Sequence, residues 1–428
     1  MSGGVDSSVS AALLKEQGYE VIGVHMRCYN VDGCAAGDAE DARRAAEVLR
    51  IPFYVFDFEK EYKETVVDYM VRGYLEGITP NPDVMCNKEI KFGLFFAKAL
   101  EMGADYIATG HYVRLQARKN SLSSTRFGRS SGGLRLSSQR RGFDGAPRQI
   151  ISKPPSSPAP EVSEKTIFSL FVANDKNKDQ SYFLWTLTQN QLKHCLFPIG
   201  DYLKPEVRAL ARRFGLPNAD KKDSQGICFL GKVTLRDFLG DYIKPRPGSV
   251  ILSDSEGSHI IGEHEGVHFY TIGQRHGLDL GTRGKGLGAR DFRPLYVAEK
   301  DINTNSIVVA EGADNPALYS KEIVLTDVNF INSKHTNILE NVGMSGLGVY
   351  ARIRYRQPLA KATLKLINPD ARSGSRLSDK KNNKGRRDSI TYQLIFEVPQ
   401  KFVAPGQSAV FYSKDGEMLG GGIINSCL

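Results

Sequence analysis

The sequence predicts three units. They are an α/β N-terminal domain with a parallel sheet over 1–203, a small central domain over 204–282 and a C-terminal antiparallel β-barrel over 283–428. Three observations carry this reading. Apolar runs and helix-period segments alternate through the first half, the pattern of an open parallel sheet. A glycine-serine stretch, MSGGVDSS, stands directly before a helical pattern, where such sheets hold anions. From about residue 285 helix signals nearly vanish, and short strands follow one another with turns between.

In order along the chain, SSVSAALLKEQG has helical apolar spacing, and Gly18 suits its C-terminal stop. EVIGVHM reads as a buried strand, and DAEDARRAAEVLR as a helix with acids in its first turn and arginine at its end. IPFYVFDF is a strand, NKEIKFGLFFAKALEMG a helix and DYIATG a strand. KPEVRALARRFG is a short helix, followed by a loop-rich stretch carrying KKDSQGICFLG. The strands PLYVAEKD, SIVVAEG, EIVLTDVNF, GVYARIRYR, ATLKLI, TYQLIFE, QSAVFYS and GGGIIN are assigned to the barrel.

The 428 residues suffice for two or three domains, and 41% hydrophobic with 25% charged residues is ordinary for a globular chain. No run approaches the roughly 20 apolar residues of a membrane helix, and no signal peptide is visible. Six cysteines, at 28, 34, 86, 195, 228 and 427, are too scattered for a disulfide framework and suit a reducing compartment. Cys28 and Cys34 have no second CxxC or His pair to complete a zinc site, so no metal is expected. The net charge of +9 is local. Residues 117–160 hold nine Lys or Arg against Asp144 alone, and 370–388 hold seven against three acids. Both read as disordered basic inserts, at about 117–165 and 370–388, either solvated loops or tethers for nucleic acid.

Three motifs carry chemistry. In SGGVDSS two glycines let the backbone approach an anion, the next helix aims its N–H groups at it, and Ser2, Ser7 and Ser8 add hydroxyls. No lysine makes it a Walker sequence; Asp6 is placed to hold the loop or a metal. In TPNPDVMCNKEIKF, turn formers hand Cys86 to a helix start with Lys88 and Lys91 nearby, so its pKa is expected to be lowered. Asp83, three residues earlier, is a candidate acid or base. Cys228 lies in a polar, glycine-bearing loop behind Lys221, Lys222 and Asp223, open to a partner. Two thiols in separate loops beside an anion loop suggest sulfur transfer.

With those motifs, and with GADYIATGHYVR, NKDQSYFLWTL, LFPIGDYLKPEVR, YTIGQRHGL, ARIRYRQ, PGQSAVFY and LGGGII, the chain resembles the tRNA-specific 2-thiouridylases nearly end to end. SGGVDSS alone also fits other adenylating ligases. The joint occurrence with the NPDxxCN loop and the distant GICF cysteine is specific.

The resemblance implies a PP-loop fold of the adenine nucleotide alpha-hydrolase type and ATP-dependent 2-thiolation of the wobble uridine in tRNAs of the lysine, glutamate and glutamine type. ATP, with Mg2+ as its counter-ion, is then bound by Met1, Ser2, Gly3, Gly4, Val5, Asp6, Ser7 and Ser8, with Met26 and Gly110 beside adenine and ribose. Asn81, Pro82 and Asp83 meet the flipped-out base, Asp83 as acid or base. Cys228 carries a persulfide from a sulfur-relay protein or cysteine desulfurase, and Cys86 is the nucleophile that forms a transient disulfide with it. His111, Lys178, Asp179, Gln180, Arg354, Tyr355 and Gln407 match tRNA-contacting positions. A monomer in the cytoplasm, or its organellar equivalent, with no membrane partner, is implied.

The family has a short hydrophobic strand before the phosphate loop, whereas this chain begins at the motif's own methionine. The sequence therefore reads as truncated or internally started, with its central strand missing. Two alternatives fit the same motifs: a catalytically impaired or dead tRNA-binding relative, and another PP-loop adenylating ligase.

Overall fold

The computed structural model describes residues 1–31, 35–119, 166–222, 229–231, 233–254, 257–275, 277, 293–342, 345–367 and 391–427. The basic segment at 370–388 lies outside these residues, as does 117–160 beyond its first three positions; Cys34 and Cys228 are also outside.

Helix α1 (Val5–Glu16) begins directly after the glycine pair. It buries Val5, Val9, Ala12 and Leu13 against Ala45 and Leu49 of α2 (Ala35–Leu49) and Val207 and Ala211 of the helix Lys204–Arg213. Gly18 follows at φ +88°, the left-handed conformation a glycine stop supplies. Strand β1 (Gly23–Arg27) pairs parallel with β2 (Phe53–Asp57), from Gly23 opposite Phe53 to Arg27 opposite Asp57. Strand β3 (Ile107–Ala108) is followed by β4 (Val113–Lys119), β5 (Thr166–Val172) and β6 (Cys195–Leu196); β3 and β6 form a second parallel pair. The expected alternation thus gives parallel pairing.

A helical run that the sequence analysis did not assign follows β2. It joins Glu59–Tyr62, a wider π-helical segment Lys63–Val67, and Asp68–Leu75. Tyr62, Val66, Met70 and Tyr74, spaced by four, place one buried face toward the Cys86 helix.

The central unit is a four-stranded sheet of β7 (Gly248–Asp254), β8 (Gly257–His264), β9 (Leu295–Asp301) and β10 (Ser306–Glu311), in spatial order β8-β7-β10-β9. Strands β9 and β10, grouped above with the barrel, instead join this sheet, β10 pairing with β7 and β9 with β10, and β7 and β8 occupy the stretch read as loop-rich. Asn305 explains the pairing. Its Nδ2 donates to the carbonyls of Arg246 and Pro247 at 3.0 and 2.8 Å, tying the start of β10 to the start of β7. A Cβ at Gly248 would collide with the Asn305 carbonyl, so only glycine fits there.

The last unit is a closed antiparallel barrel. Its strands are β11 (Tyr319–Phe330), β12 (Leu347–Arg352), β13 (Ala360–Ile367), β14 (Thr391–Lys401), β15 (Ser408–Tyr412) and β16 (Glu417–Cys427). The order is β11-β14-β13-β12-β15-β16, and β11 also pairs with β16, which closes the ring. The short helix Ser333–Val342, unassigned from sequence, sends Leu339 into the barrel core.

Barrel and N-terminal domain share structure. Leu170 and Phe171 of β5 pair with Met418 and Glu417 of β16. The Trp185 indole N–H donates to Ser408 Oγ at 3.0 Å, and Tyr182 donates to the Ser408 carbonyl at 2.9 Å. The Arg352 guanidinium meets the buried Asp179 carboxylate at 3.0 Å. Among the described residues no helix is long and apolar enough to cross a membrane.

Candidate active site

The phosphate-loop candidate is held from three sides. Gly3 is at φ +75°, and a Cβ there would collide with the Asp38 carbonyl in the first turn of α2. Ser2 N–H donates to Ser7 Oγ at 3.1 Å, while Ser7 and Ser8 hydroxyls donate back to the Gly4 carbonyl at 3.3 and 3.1 Å. A Cβ at Gly110, just past β3, would stand 2.7 Å from Ser7 N, so this glycine lets the β3 end lie against the loop. Met1 lies against β1, where His25 Nδ1–H donates to its carbonyl at 3.1 Å.

Two further side chains determine which way the loop faces. Asn218, 5% exposed, directs Nδ2 to the Gly3 and Gly4 carbonyls at 3.0 and 3.2 Å and to Ser8 Oγ at 3.0 Å. With those carbonyls engaged, and with Ser2 N–H and Gly4 N–H taken up by Ser7 Oγ and Ser2 Oγ, it is the first N–H groups of α1 that are left to face an anion. Asn218 Oδ1 is buried with no partner among the described residues. Asp6 accepts from Lys204 Nζ at 2.8 and 2.9 Å and from the Tyr112 hydroxyl at 2.9 Å, so its carboxylate anchors the loop. Lys221 Nζ joins Asp38 and Asp41 at 2.7 and 2.6 Å, in front of the segment that leads to Cys228. The glycine backbone, the exposed Ser2 and the N-terminus of α1 fit a polyphosphate; Lys204 and Lys221 are paired with carboxylates, and Asn218 Oδ1 is an acceptor that a phosphate oxygen does not satisfy.

The second half of the site is the loop Asn81–Cys86. Asn81 Oδ1 accepts from Val84 N–H at 3.2 Å and caps a helix whose first residue is Pro82, which has no N–H to lose. The helix runs through Pro82–Met85, a π-helical segment Cys86–Leu94 and Phe95–Glu101. It thus begins four residues before Cys86, not at it, and Cys86 is 4% exposed. Here the expected lowered pKa is corrected. Burial pushes the thiol up; the Lys91 cation and a hydrogen bond from Tyr62 oppose this, and the Asp83 carboxylate adds to it. Desolvation outweighs a single cation for a thiol this deep. Lys88 does not help, because it is paired with Glu89 at 3.0 Å. Asp83 is half-buried, and Asn87 Oδ1 is buried without a partner among the described residues.

Cys228 lies outside the described residues, but the next residue does not. Phe229, 2% exposed, shares an apolar cluster with Cys86 and Tyr62, its ring 5.7 Å from that of Tyr62. Its carbonyl accepts from Val31 N–H at 3.2 Å. Met26 and Cys28 pack on the same cluster, and burial pushes the Cys28 thiol up to about 12.

The residues matched to tRNA contacts divide. His111 is buried between Phe92 and Phe197, ring centroids 6.0 and 6.4 Å away; burial drives its pKa well below the usual histidine range, so it is neutral. Asp179, 3% exposed, accepts from Ala173 N–H, Ser181 N–H, Ser181 Oγ–H and Arg352. Gln180 Oε1 accepts from Tyr112 N–H at 3.0 Å. Arg354 is half-buried and donates to the carbonyls of Phe402 and Ile272 at 2.9 and 2.6 Å. Gln407 donates to the carbonyls of Thr79 and Pro80. Lys178 is half-buried, as is Tyr355, whose ring lies 4.5 Å from Phe183 and under the exposed Arg356 guanidinium.

Lys204, Tyr112, Asn218, Lys221 and Tyr62 belong to the site and were not assigned roles from sequence. Lys204 and Lys221 stood in quoted motifs, YLKPEVR and KKDSQG. Tyr62 had only a helical apolar spacing to mark it.

Comparison with known proteins agrees with this architecture. The family described as tRNA methyl transferase HUP domain matches residues 1–131 and 159–232. The tRNA methyl transferase PRC-barrel domain matches 236–311, and the aminomethyltransferase beta-barrel domain matches 381–424. The tRNA-specific 2-thiouridylase MnmA of Colwellia psychrerythraea is 39% identical over 434 residues, covering 100% of this chain and 95% of the relative. MnmA 1 of Geobacillus kaustophilus is 38% identical over 433 residues, with 100% and 95% covered. MnmA of Flavobacterium johnsoniae is 36% identical over 464 residues, with 99% and 98% covered. With three domains matched in order and this identity along its whole length, the chain belongs to the tRNA-specific 2-thiouridylase family.

Proposed function

We propose that the chain is an ATP-dependent sulfurtransferase that replaces O2 of the wobble uridine with sulfur in tRNAs of the lysine, glutamate and glutamine type. The observation that carries this reading is the shared cluster of Cys86 and Phe229, the residue after Cys228.

ATP, with Mg2+ as counter-ion, supplies activation when bound: O2 of the uridine leaves as part of AMP. The loop from Met1 to Ser8 holds the phosphates through N–H groups and hydroxyls, Asn218 and Lys204 fix the loop, and Met26 and Gly110 border adenine and ribose. Asn81, Pro82 and Asp83 receive the base out of its stack, and Asp83 moves the proton. The terminal sulfur of a persulfide on Cys228 bonds to C2 as the C2–O2 bond breaks. The Cys86 thiolate then attacks Sγ of Cys228. The persulfide S–S bond breaks, its electron pair stays on the sulfur at C2, and a Cys86–Cys228 disulfide forms. A dithiol reductant returns both thiols. A sulfur-relay protein or cysteine desulfurase supplies the persulfide. Lys178, Arg354 and Tyr355 serve the tRNA surface, with His111, Asp179 and Gln180 holding it in shape. The enzyme acts as a monomer in the cytoplasm or its organellar equivalent.

The test is nucleoside mass spectrometry of tRNA incubated with ATP and a persulfide donor. The unaltered chain forms 2-thiouridine, Cys86→Ser and Cys228→Ser form none, and Cys34→Ser and Cys195→Ser form it at normal levels. Normal thiolation by Cys228→Ser overturns the persulfide assignment.

A further inference from the structure

The segment Thr79–Pro82 enters the candidate site beneath a turn of the barrel. Prolines at 80 and 82 remove two N–H groups, so the loop has little local hydrogen bonding with which to define itself. Its carbonyls are taken up from outside. Gln407 Nε2 donates to the Thr79 carbonyl at 2.8 Å and to the Pro80 carbonyl at 3.2 Å. Thr79 N–H returns a bond to the Pro405 carbonyl at 2.8 Å. Gly406 lies at φ +89°, and a Cβ there would sit 2.9–3.0 Å from Thr79 backbone atoms.

That turn is itself pinned. Gly406 N–H donates to the Ile424 carbonyl of β16, and Ile424 N–H donates to the Gln407 carbonyl, both at 2.8 Å. On the central-sheet side, the Thr79 hydroxyl donates to Thr271 Oγ1 at 3.4 Å. Thr79 is 7% exposed. The residues immediately after it include Asn81, which caps the Cys86 helix, and Asp83.

We propose that Gln407 is a positioning residue for the reaction. With Pro405 and Gly406 it sets the loop that offers Asn81–Asp83 to the base and carries the helix of Cys86, so the barrel completes the active site as well as serving tRNA. This rests on the thiolation reading above, and it reassigns Gln407 from a contact with tRNA to a contact with the loop.

The experiment uses the full chain with Gln407→Leu and Gln407→Glu. The second keeps the side-chain shape while turning its two donors into acceptors that face carbonyls; it serves if the first does not fold. Two sets of quantities are read in each. Steady-state thiolation assays with tRNA varied give kcat and the KM for tRNA. Peptide mass spectrometry gives the rate of Cys86 alkylation by iodoacetamide without tRNA or ATP. A misplaced reacting group costs on the order of 100-fold per ångström. The expected result is a kcat lower by about tenfold or more, an unchanged KM for tRNA and faster alkylation of Cys86. A raised KM for tRNA with kcat and alkylation as in the unaltered chain overturns the proposal in favour of a tRNA contact. No change in any of the three overturns it outright. If the unaltered chain forms no 2-thiouridine, the functional reading fails, and the alkylation rates still decide the clamp.

Discussion

At Cys86 two effects oppose each other. The thiol is 4% exposed, and burial raises its pKa, while Lys91 and the Tyr62 hydroxyl pull it down without prevailing. A nucleophile in this state is protonated at neutral pH, so its attack needs the proton removed at the right moment. The prediction concerns pH. Alkylation of Cys86 rises with a midpoint above that of an exposed cysteine, because desolvation disfavours the thiolate. Tyr62→Phe moves the midpoint higher, since it removes a hydrogen bond that favours the charged form. Rate against pH by peptide mass spectrometry decides; a midpoint below the ordinary thiol range contradicts the burial account. The sequence could show Lys88 and Lys91 near the cysteine. It could not show that Lys88 pairs with Glu89, or that the helix starts four residues earlier.

Among the elements, the phosphate loop depends on a residue more than 200 positions away in the chain. Asn218 holds two loop carbonyls and Ser8. Net hydrogen bonds of this kind are worth about 1 kcal/mol each, and about 1.4 kcal/mol is tenfold in affinity. Asn218→Ala should therefore raise the ATP concentration for half-maximal AMP release by about tenfold or more, with α1 intact by circular dichroism. An unchanged ATP dependence contradicts the loop-holding role. What was legible in the sequence follows the range of the interaction. SGGVDSS, the α1 pattern and the Gly18 stop are local, and the structure has them. Asn218, Tyr112 and the Lys204–Asp6 pair are long-range contacts that no window of sequence contains. The helix Glu59–Leu75 had readable spacing at Tyr62, Val66, Met70 and Tyr74 that went unassigned. Strands β9 and β10 were read as strands; β7, the partner of β10, was not, because Ser and Gly in SVILSDSEGSH imitate a loop.

For the whole molecule, the joints between domains fall on the site. The buried Arg352–Asp179 pair links the barrel to the segment carrying Lys178 and Gln180. Removing one partner of such a pair costs about 3–5 kcal/mol, so these residues act by holding the joint between barrel and N-terminal domain. Gln407 and Thr271 meet Thr79 from the barrel and from the central unit. Phe229 brings the chain after Cys228 into the cluster of Cys86. Three units therefore converge on one loop and one thiol, and in the proposed reaction two distant cysteines act on the same sulfur. Its most direct measurement is a single turnover with persulfide-loaded protein, ATP and tRNA in the absence of reductant, quenched by alkylation and mapped by peptide mass spectrometry. The account predicts one Cys86–Cys228 disulfide for each 2-thiouridine and each AMP released. Thiolated tRNA formed while both cysteines are recovered as alkylated thiols contradicts it.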